Sequence, residues 1–168
     1  MRNESKIIEF IPRLRRYAYA LYRGNETAAD DLVQDCIERA LRNMASWQQG
    51  TDLRAWLFTI MHNLYVNQIK RMSNGPNFVD LNDDLFAGLQ GRADNHMLLR
   101  DLEGALNTLP PDQKEILLLV TLEGMSYREV ADIMDIPEGT VMSRLSRARQ
   151  QIRKIISGEV VPHIRRVK

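Results

Sequence analysis

The chain has 168 residues, 44% apolar and 27% charged, with a formal net charge of +1 at pH 7. That composition fits a soluble globular protein of one medium or two small domains and excludes a disordered or fibrous chain. Apolar runs such as Ile116 to Val120 are too short to span a bilayer, the N-terminus lacks a signal peptide's apolar core, and one cysteine excludes an internal disulfide, so the cytoplasm is the expected compartment.

Helical periodicity runs through the chain. Ile7, Ile8, Ile11, Leu14, Tyr17, Ala18 and Leu21 form an apolar stripe, with Pro12 expected near the helix start and Gly24-Asn25 as its stop. Thr27 to Asp30 resembles a capping box with Thr27 as N-cap. The helix behind it turns Leu32, Val33, Cys36, Ile37, Ala40, Leu41 and Met44 inward. A third helix begins near Thr51-Asp52 and buries Leu53, Trp56, Leu57, Ile60, Met61 and Leu64.

Ser73-Asn-Gly-Pro-Asn77 then breaks the pattern, and an acidic stretch without sustained periodicity follows. As a coil of ~20 residues it spans ~25 Å relaxed and ~70 Å fully stretched. Met97, Leu98, Leu102, Ala105, Leu106 and Leu109 make a fourth helix, ended by Pro110-Pro111, and Asp112 to Glu123 a fifth, closed by Gly124. Ser126-Tyr-Arg-Glu129 is a capping box opening a short helix through Met134. Asp135 to Gly139 is a turn, with Pro137 expected in the first turn of a last helix reaching about Ile156. The expected fold class is all-α: two small helical domains, 1–72 and 96–157, joined by a flexible acidic linker, 73–95, and followed by a basic tail, 158–168.

The last two helices read as a helix-turn-helix. Ala131 is the small residue where the second helix crosses the first, and Val130, Ile133, Ile136, Val141 and Leu145 supply a compact core. The second helix exposes Thr140, Met142, Ser143, Arg144, Ser146 and Arg147, with Arg149 continuing the basic run. Arginine pairs bidentately with guanine O6 and N7, and hydroxyls reach bases or phosphates. Asp135 stands where a left-handed glycine is common, which Asp tolerates better than most residues. An ordinary α-hairpin with a solvated basic face has the same local pattern. From Asp80 to Glu103 acids dominate, whereas from Arg144 to Lys168 Glu159 is the lone acid. The basic end can bind phosphate, yet the near-zero total predicts weak DNA binding by the isolated chain.

A second polar constellation lies earlier. Thr59, Asn63, Asn67 and Lys70 recur at helical spacing opposite the buried side of the third helix, with His62 adjacent, behind the loop Ser46-Trp-Gln-Gln-Gly-Thr-Asp-Leu-Arg54. Aromatics with amides and cations suit single-stranded nucleic acid, where rings stack on bases and amides read exposed edges. Trp47, Trp56 and Phe58 fit a core equally well, and for Trp56 the core reading is preferred.

Asp31-Leu-Val-Gln-Asp-Cys-Ile-Glu-Arg-Ala-Leu41, Trp47 and Leu53-Arg-Ala-Trp-Leu-Phe-Thr-Ile-Met-His-Asn63 together resemble region 2 of extracytoplasmic-function sigma factors. Leu109-Pro-Pro-Asp-Gln-Lys-Glu-Ile-Leu117 and Glu138-Gly-Thr-Val-Met-Ser-Arg-Leu-Ser-Arg-Ala-Arg149 resemble region 4. The resemblance implies a transcription-initiation factor rather than an enzyme, without cofactor. Its partners would be core RNA polymerase, promoter DNA and an anti-sigma factor. Asp31, Gln34, Asp35 and Arg39 would dock on the polymerase. Trp47, Gln48, Gln49, Gly50, Thr51, Asp52, Arg54, Phe58, His62, Asn63, Asn67 and Lys70 would hold the single-stranded −10 element, with a flipped base in the pocket of the Gln48-to-Arg54 loop and Asn63. Arg128, Thr140, Met142, Ser143, Arg144, Arg147 and Arg149 would meet the duplex −35 element. Met142 stands where many relatives place a basic residue. Promoter elements ~40–60 Å apart would require the linker to be stretched.

Other residues carry less. Cys36 lies on its helix's apolar stripe and reads as core. His62, His96 and His163 lack paired ligand spacing, so no metal site is expected, and most carboxylates read as helix-surface or linker charges. A stand-alone dimeric regulator would need a dimerisation seam, which the sequence does not offer. A sigma mimic that only sequesters an anti-sigma factor would not need the arginine-rich helix or the Trp47-to-Asn63 constellation.

Overall fold

The computed structural model describes residues 2–23, 25–74 and 95–158. These residues form α1 (Arg2–Leu21), α2 (Glu26–Arg42), a single 3-10 turn (Met44–Ser46), α3 (Leu53–Asn74), α4 (Asn95–Asn107), α5 (Pro111–Thr121), α6 (Tyr127–Met134) and α7 (Glu138–Ile156). The all-helical class holds among the described residues. The expected linker, apart from its first two residues and Asn95, lies outside them, as do Gly24 and all but Gly158 of the basic tail.

Packing follows the apolar stripes. α1 lies on α2 and α2 on α3, enclosing Leu14, Tyr17, Ala18, Leu32, Cys36, Ala40, Leu57, Phe58 and Met61. α7 packs across α4, α5 and α6 over Ile116, Leu119, Val130, Val141, Leu145 and Ala148. The two halves are in contact: α5 sits against α1 and α6 against α3, so their apolar residues merge into one continuous core.

Local chemistry explains where several boundaries differ from expectation. α1 begins at Arg2, which puts Pro12 in its interior rather than its first turn. There proline removes one backbone hydrogen bond, a cost that the packed stripe of α1 must offset. Asn25, not Thr27, caps α2: its side chain accepts from the Ala28 amide at 3.1 Å while its own amide donates to the Tyr22 carbonyl at 3.0 Å. One asparagine thereby ends a turn and starts a helix, and Asn is at least as good an N-cap as Thr. Leu41 is 45% exposed rather than buried.

The helix-turn-helix forms as its sequence suggests. Ser126 accepts from the Glu129 amide at 3.1 Å and Glu129 Oε2 accepts from the Ser126 amide at 2.8 Å, closing the capping box. Asp135 ends α6 in the left-handed region, φ 53° and ψ 51°. Its amide and that of Ile136 both reach the Ala131 carbonyl. Pro137 is the residue before α7 rather than inside its first turn. Its φ of −61° suits either place, so the sequence alone did not decide between them.

Candidate nucleic-acid interface

The second half presents an open helix face. On α7, Met142, Ser143, Arg147 and Arg149 are exposed, Thr140 is half-buried, and Arg128 is exposed on α6. Arg144 is pinned: its Nη1 lies 3.3 Å from Asp112 Oδ2 at the start of α5. Ser143 donates to the Thr140 carbonyl of its own helix at 3.1 Å, which leaves its oxygen as an acceptor.

The first half carries two surfaces. Asp31, Gln34, Asp35 and Arg39 are all exposed along one side of α2. The loop before α3 is built locally. Thr51 donates its hydroxyl to the Gln48 carbonyl at 2.7 Å, Gly50 adopts φ 101°, and Asp52 accepts from the Arg54 amide at 2.9 Å as the cap of α3. Gln48, Gln49, Gly50, Thr51 and Asp52 are exposed, and so are Asn63, Asn67 and Lys70 one helical turn apart along α3. Thr59, on the same stripe, donates back to the Ala55 carbonyl at 2.8 Å.

The aromatic assignments need correction. Phe58 is 1% exposed, with its ring 5.2 Å from that of Tyr17 in an edge-to-face pair, so it is core and no base can stack on it without unpacking α1. Trp47 is also buried, packed on Trp56 at 6.5 Å, whereas Trp56 itself is only half-buried. Of the three, the ring preferred as core is the most accessible.

Arg54 and His62 do not face solvent freely. Arg54 Nη2 donates to Glu129 Oε1 at 3.1 Å and its Nη1 to the Glu123 carbonyl at 3.3 Å. His62 Nδ1 sits 2.9 and 3.0 Å from the two Glu115 oxygens. The reading of the carboxylates as surface charges fails here. Glu115 is 2% exposed, and the Glu123 side chain is fully covered. Arg13 Nε lies 3.0 Å from Glu123 Oε2 and Arg16 Nη2 3.3 Å from Oε1, while Arg16 also donates to the Leu122 carbonyl. Lys114, 4% exposed, donates to the Leu21 carbonyl at the end of α1 and to Asn107. None of Arg13, Arg16, Lys114, Glu115 or Glu123 was singled out from sequence. Glu115 alone left a trace, being one helical turn from Leu118 and Leu119.

The electrostatics follow the burial. Burial raises the Glu115 pKa, and the hydrogen bond and charge of His62 pull it back. The hydrogen bond from the Ser126 amide, aided by Arg54, lowers that of Glu129. Burial, with the Glu115 charge second, holds Tyr17 well above its ordinary value. Among the described residues no His, Cys, Asp and Glu cluster suits a metal, and no helix is long and apolar enough to cross a membrane.

Comparison with known proteins agrees with the fold. Residues 99–152 match the family model for sigma-70 region 4, and residues 7–62 match the sigma2 domain of PhyR. The ECF RNA polymerase sigma factor EcfG of Rhodopseudomonas palustris is 37% identical over 150 residues, covering 89% of this chain and 82% of that protein. The sigma factor RpoE from Bartonella quintana, solved in complex with the anti-sigma factor NepR, superposes with a TM-score of 0.77 at 30% identity, over 93% of this chain and 97% of that one. The anti-anti-sigma factor PhyR of the same organism, complexed with NepR, shares the fold at 18% identity, with a TM-score of 0.60 over 90% of this chain and 49% of that one.

Proposed function

The chain belongs to the extracytoplasmic-function sigma factors, and from that premise we propose that it binds core RNA polymerase and directs initiation at promoters with −10 and −35 elements. The observation that carries this reading is the exposed α7 face, set by the Ser126–Glu129 capping box and the left-handed Asp135. Arg147, with Thr140 and Ser143, suits major-groove contact on that face, Arg144 is held at its edge by Asp112, and Arg149 lies on the opposite flank of the helix, where it suits a backbone phosphate. The loop Gln48 to Asp52, with Asn63, Asn67 and Lys70, takes the unpaired −10 strand. A base flipped into it loses a few kcal/mol of stacking that the amides and hydroxyls must offset. The exposed acids and amide of α2, with Arg39, form the polymerase-docking side. The protein acts by recognition, not by covalent chemistry, and works in the cytoplasm under an anti-sigma factor, as the complex of the Bartonella relative supports.

Run-off transcription with core polymerase across a panel of genomic promoters tests the proposal. A transcript that depends on both this chain and a promoter is expected. No such transcript, together with no binding to core, refutes it. The match of residues 7–62 to the sigma2 domain of PhyR favours one other reading, a sigma-like chain that sequesters an anti-sigma factor. Such a chain would bind the anti-sigma factor yet yield no transcript with core enzyme.

A further inference from the structure

The contact between the two halves is unusual for a core, because ionised groups dominate its edge. Arg13 and Arg16 on α1 and Arg54 on α3 converge on Glu123: both Arg13 and Arg54 donate to its backbone carbonyl, at 3.4 and 3.3 Å, and Arg13 and Arg16 take its two carboxylate oxygens. Glu129 and Asp52 complete the surroundings of Arg54, at 3.1 and 3.9 Å. His62, further along α3, meets Glu115. The burial is lopsided. The Arg13, Arg16 and Arg54 side chains keep 39%, 54% and 23% of their exposure, while those of Glu123 and Glu115 keep 0% and 2%. The cations therefore lie on a surface of α1 and α3, and the acids are inserted into it from the other half.

We propose that Arg13, Arg16, Arg54 and His62 form one anion-binding strip that takes the phosphodiester backbone of the melted strand, and that Glu115, Glu123 and Glu129 occupy this strip when the chain is closed. The inference rests on the −10 reading above and extends it to two α1 residues outside the sequence-derived set. Guanidinium N–H groups donate to carboxylate and phosphate oxygens alike, so one strip serves both ligands. The exchange is feasible because buried ion pairs gain little net stability once desolvation is counted. Opening returns Glu115 and Glu123 to water while phosphates take their place. The strip also adjoins the reading loop, since Arg54 is the second residue of α3 and Asp52 is its cap. In the closed chain the polymerase-docking side of α2 stays exposed. Polymerase can therefore engage before the strip is uncovered.

The test uses the full chain and a fluorescein-labelled thymidine oligonucleotide of about 20 nucleotides. Glu123→Gln is expected to quicken hydrogen exchange in α5 and to raise oligonucleotide affinity ~10-fold at low salt. Adding Arg13→Gln and Arg16→Gln should abolish that gain and flatten the plot of log affinity against log salt by about 1.4, two phosphate contacts at ~0.7 each on a single strand. Faster exchange with neither gain nor change of slope overturns the strip, and unchanged exchange overturns the role of the acids. On the wild type, saturating oligonucleotide should quicken α5 exchange, and its failure to do so refutes the competition even if Glu123→Gln does not fold. Loss of core-dependent transcription would sink the sigma reading separately, because the oligonucleotide titration contains no polymerase.

Discussion

Replacing Lys114 with Met probes the closed contact through its pH dependence. The Lys114 ammonium is buried where α5 meets the end of α1, and it donates to the Leu21 carbonyl at 3.1 Å and to Asn107 at 3.2 Å. A cation there suits the negative end of α1, yet burial, reinforced by Arg23 and opposed by Glu103, pushes its pKa down from 10.5 to about 8. A lysine with a depressed folded pKa penalises the native state fully below about pH 8, and the penalty fades as pH rises from there toward the unfolded value. With those two values the penalty is about 3 kcal/mol at pH 7 and about 1 kcal/mol at pH 9.5. Wild type should thus gain about 2 kcal/mol on Lys114→Met over that interval. Cys36, pushed up to about 12 by burial, and the raised tyrosines lose stability above pH 9 in both proteins. The difference between the two proteins isolates the lysine. Urea unfolding at half-unit pH steps measures it, and a wild-type minus variant difference that stays flat from pH 7 to 9.5 would refute the reasoning.

Phe58→Ala should cost about 3–5 kcal/mol in urea unfolding, because the ring is core and pairs with Tyr17; unchanged stability with lost oligonucleotide binding would return it to the interface. Asp135→Gly should raise stability by about 0.5–1 kcal/mol in thermal melts, since glycine adopts the left-handed geometry without strain; a lower melting temperature would mean that the Asp side chain makes a contact worth more than the strain. On the proposed promoter reading, Arg147→Ala in the holoenzyme should weaken promoter binding by about 1–3 kcal/mol and relax preference at one base pair, whereas a uniform loss across sequences would make it a phosphate contact.

Where the determinants are local, the sequence was readable. The capping box at Ser126, the left-handed Asp135 and the small Ala131 each depend on residues within a turn or two, and all three appear as expected. The α2 cap was misplaced because Asn25, read only as part of the stop of α1, is as competent a cap as Thr27 and stands two residues before it. The aromatic assignments failed for a different reason. Periodicity puts Trp56 on the buried side of its helix and leaves out Phe58, but Phe58 is the ring that meets Tyr17 on α1, some forty residues away in the chain. The ion pairs were least accessible of all. Arg13 and Glu123 are 110 residues apart, and nothing local marks Glu123 as buried or Arg13 as its partner.

These ion pairs also change the meaning of the net charge. With 23 Lys and Arg against 22 Asp and Glu, the chain looked poorly suited to nucleic acid. Glu115, Glu123 and Glu129 stand against α1 and α3, however, so part of the acid count is spent internally on cations that would otherwise face a phosphate backbone. Opening the contact changes no charge, yet it separates the signs: a basic strip on the first half and a newly exposed acidic edge on the second. Since non-specific affinity tracks the number of phosphates neutralised rather than the total charge, weak binding when closed and strong binding when open follow from the same composition. The near-neutral total is the same in both states, and on the proposed reading polymerase, by holding the halves apart, would supply the affinity that the composition conceals.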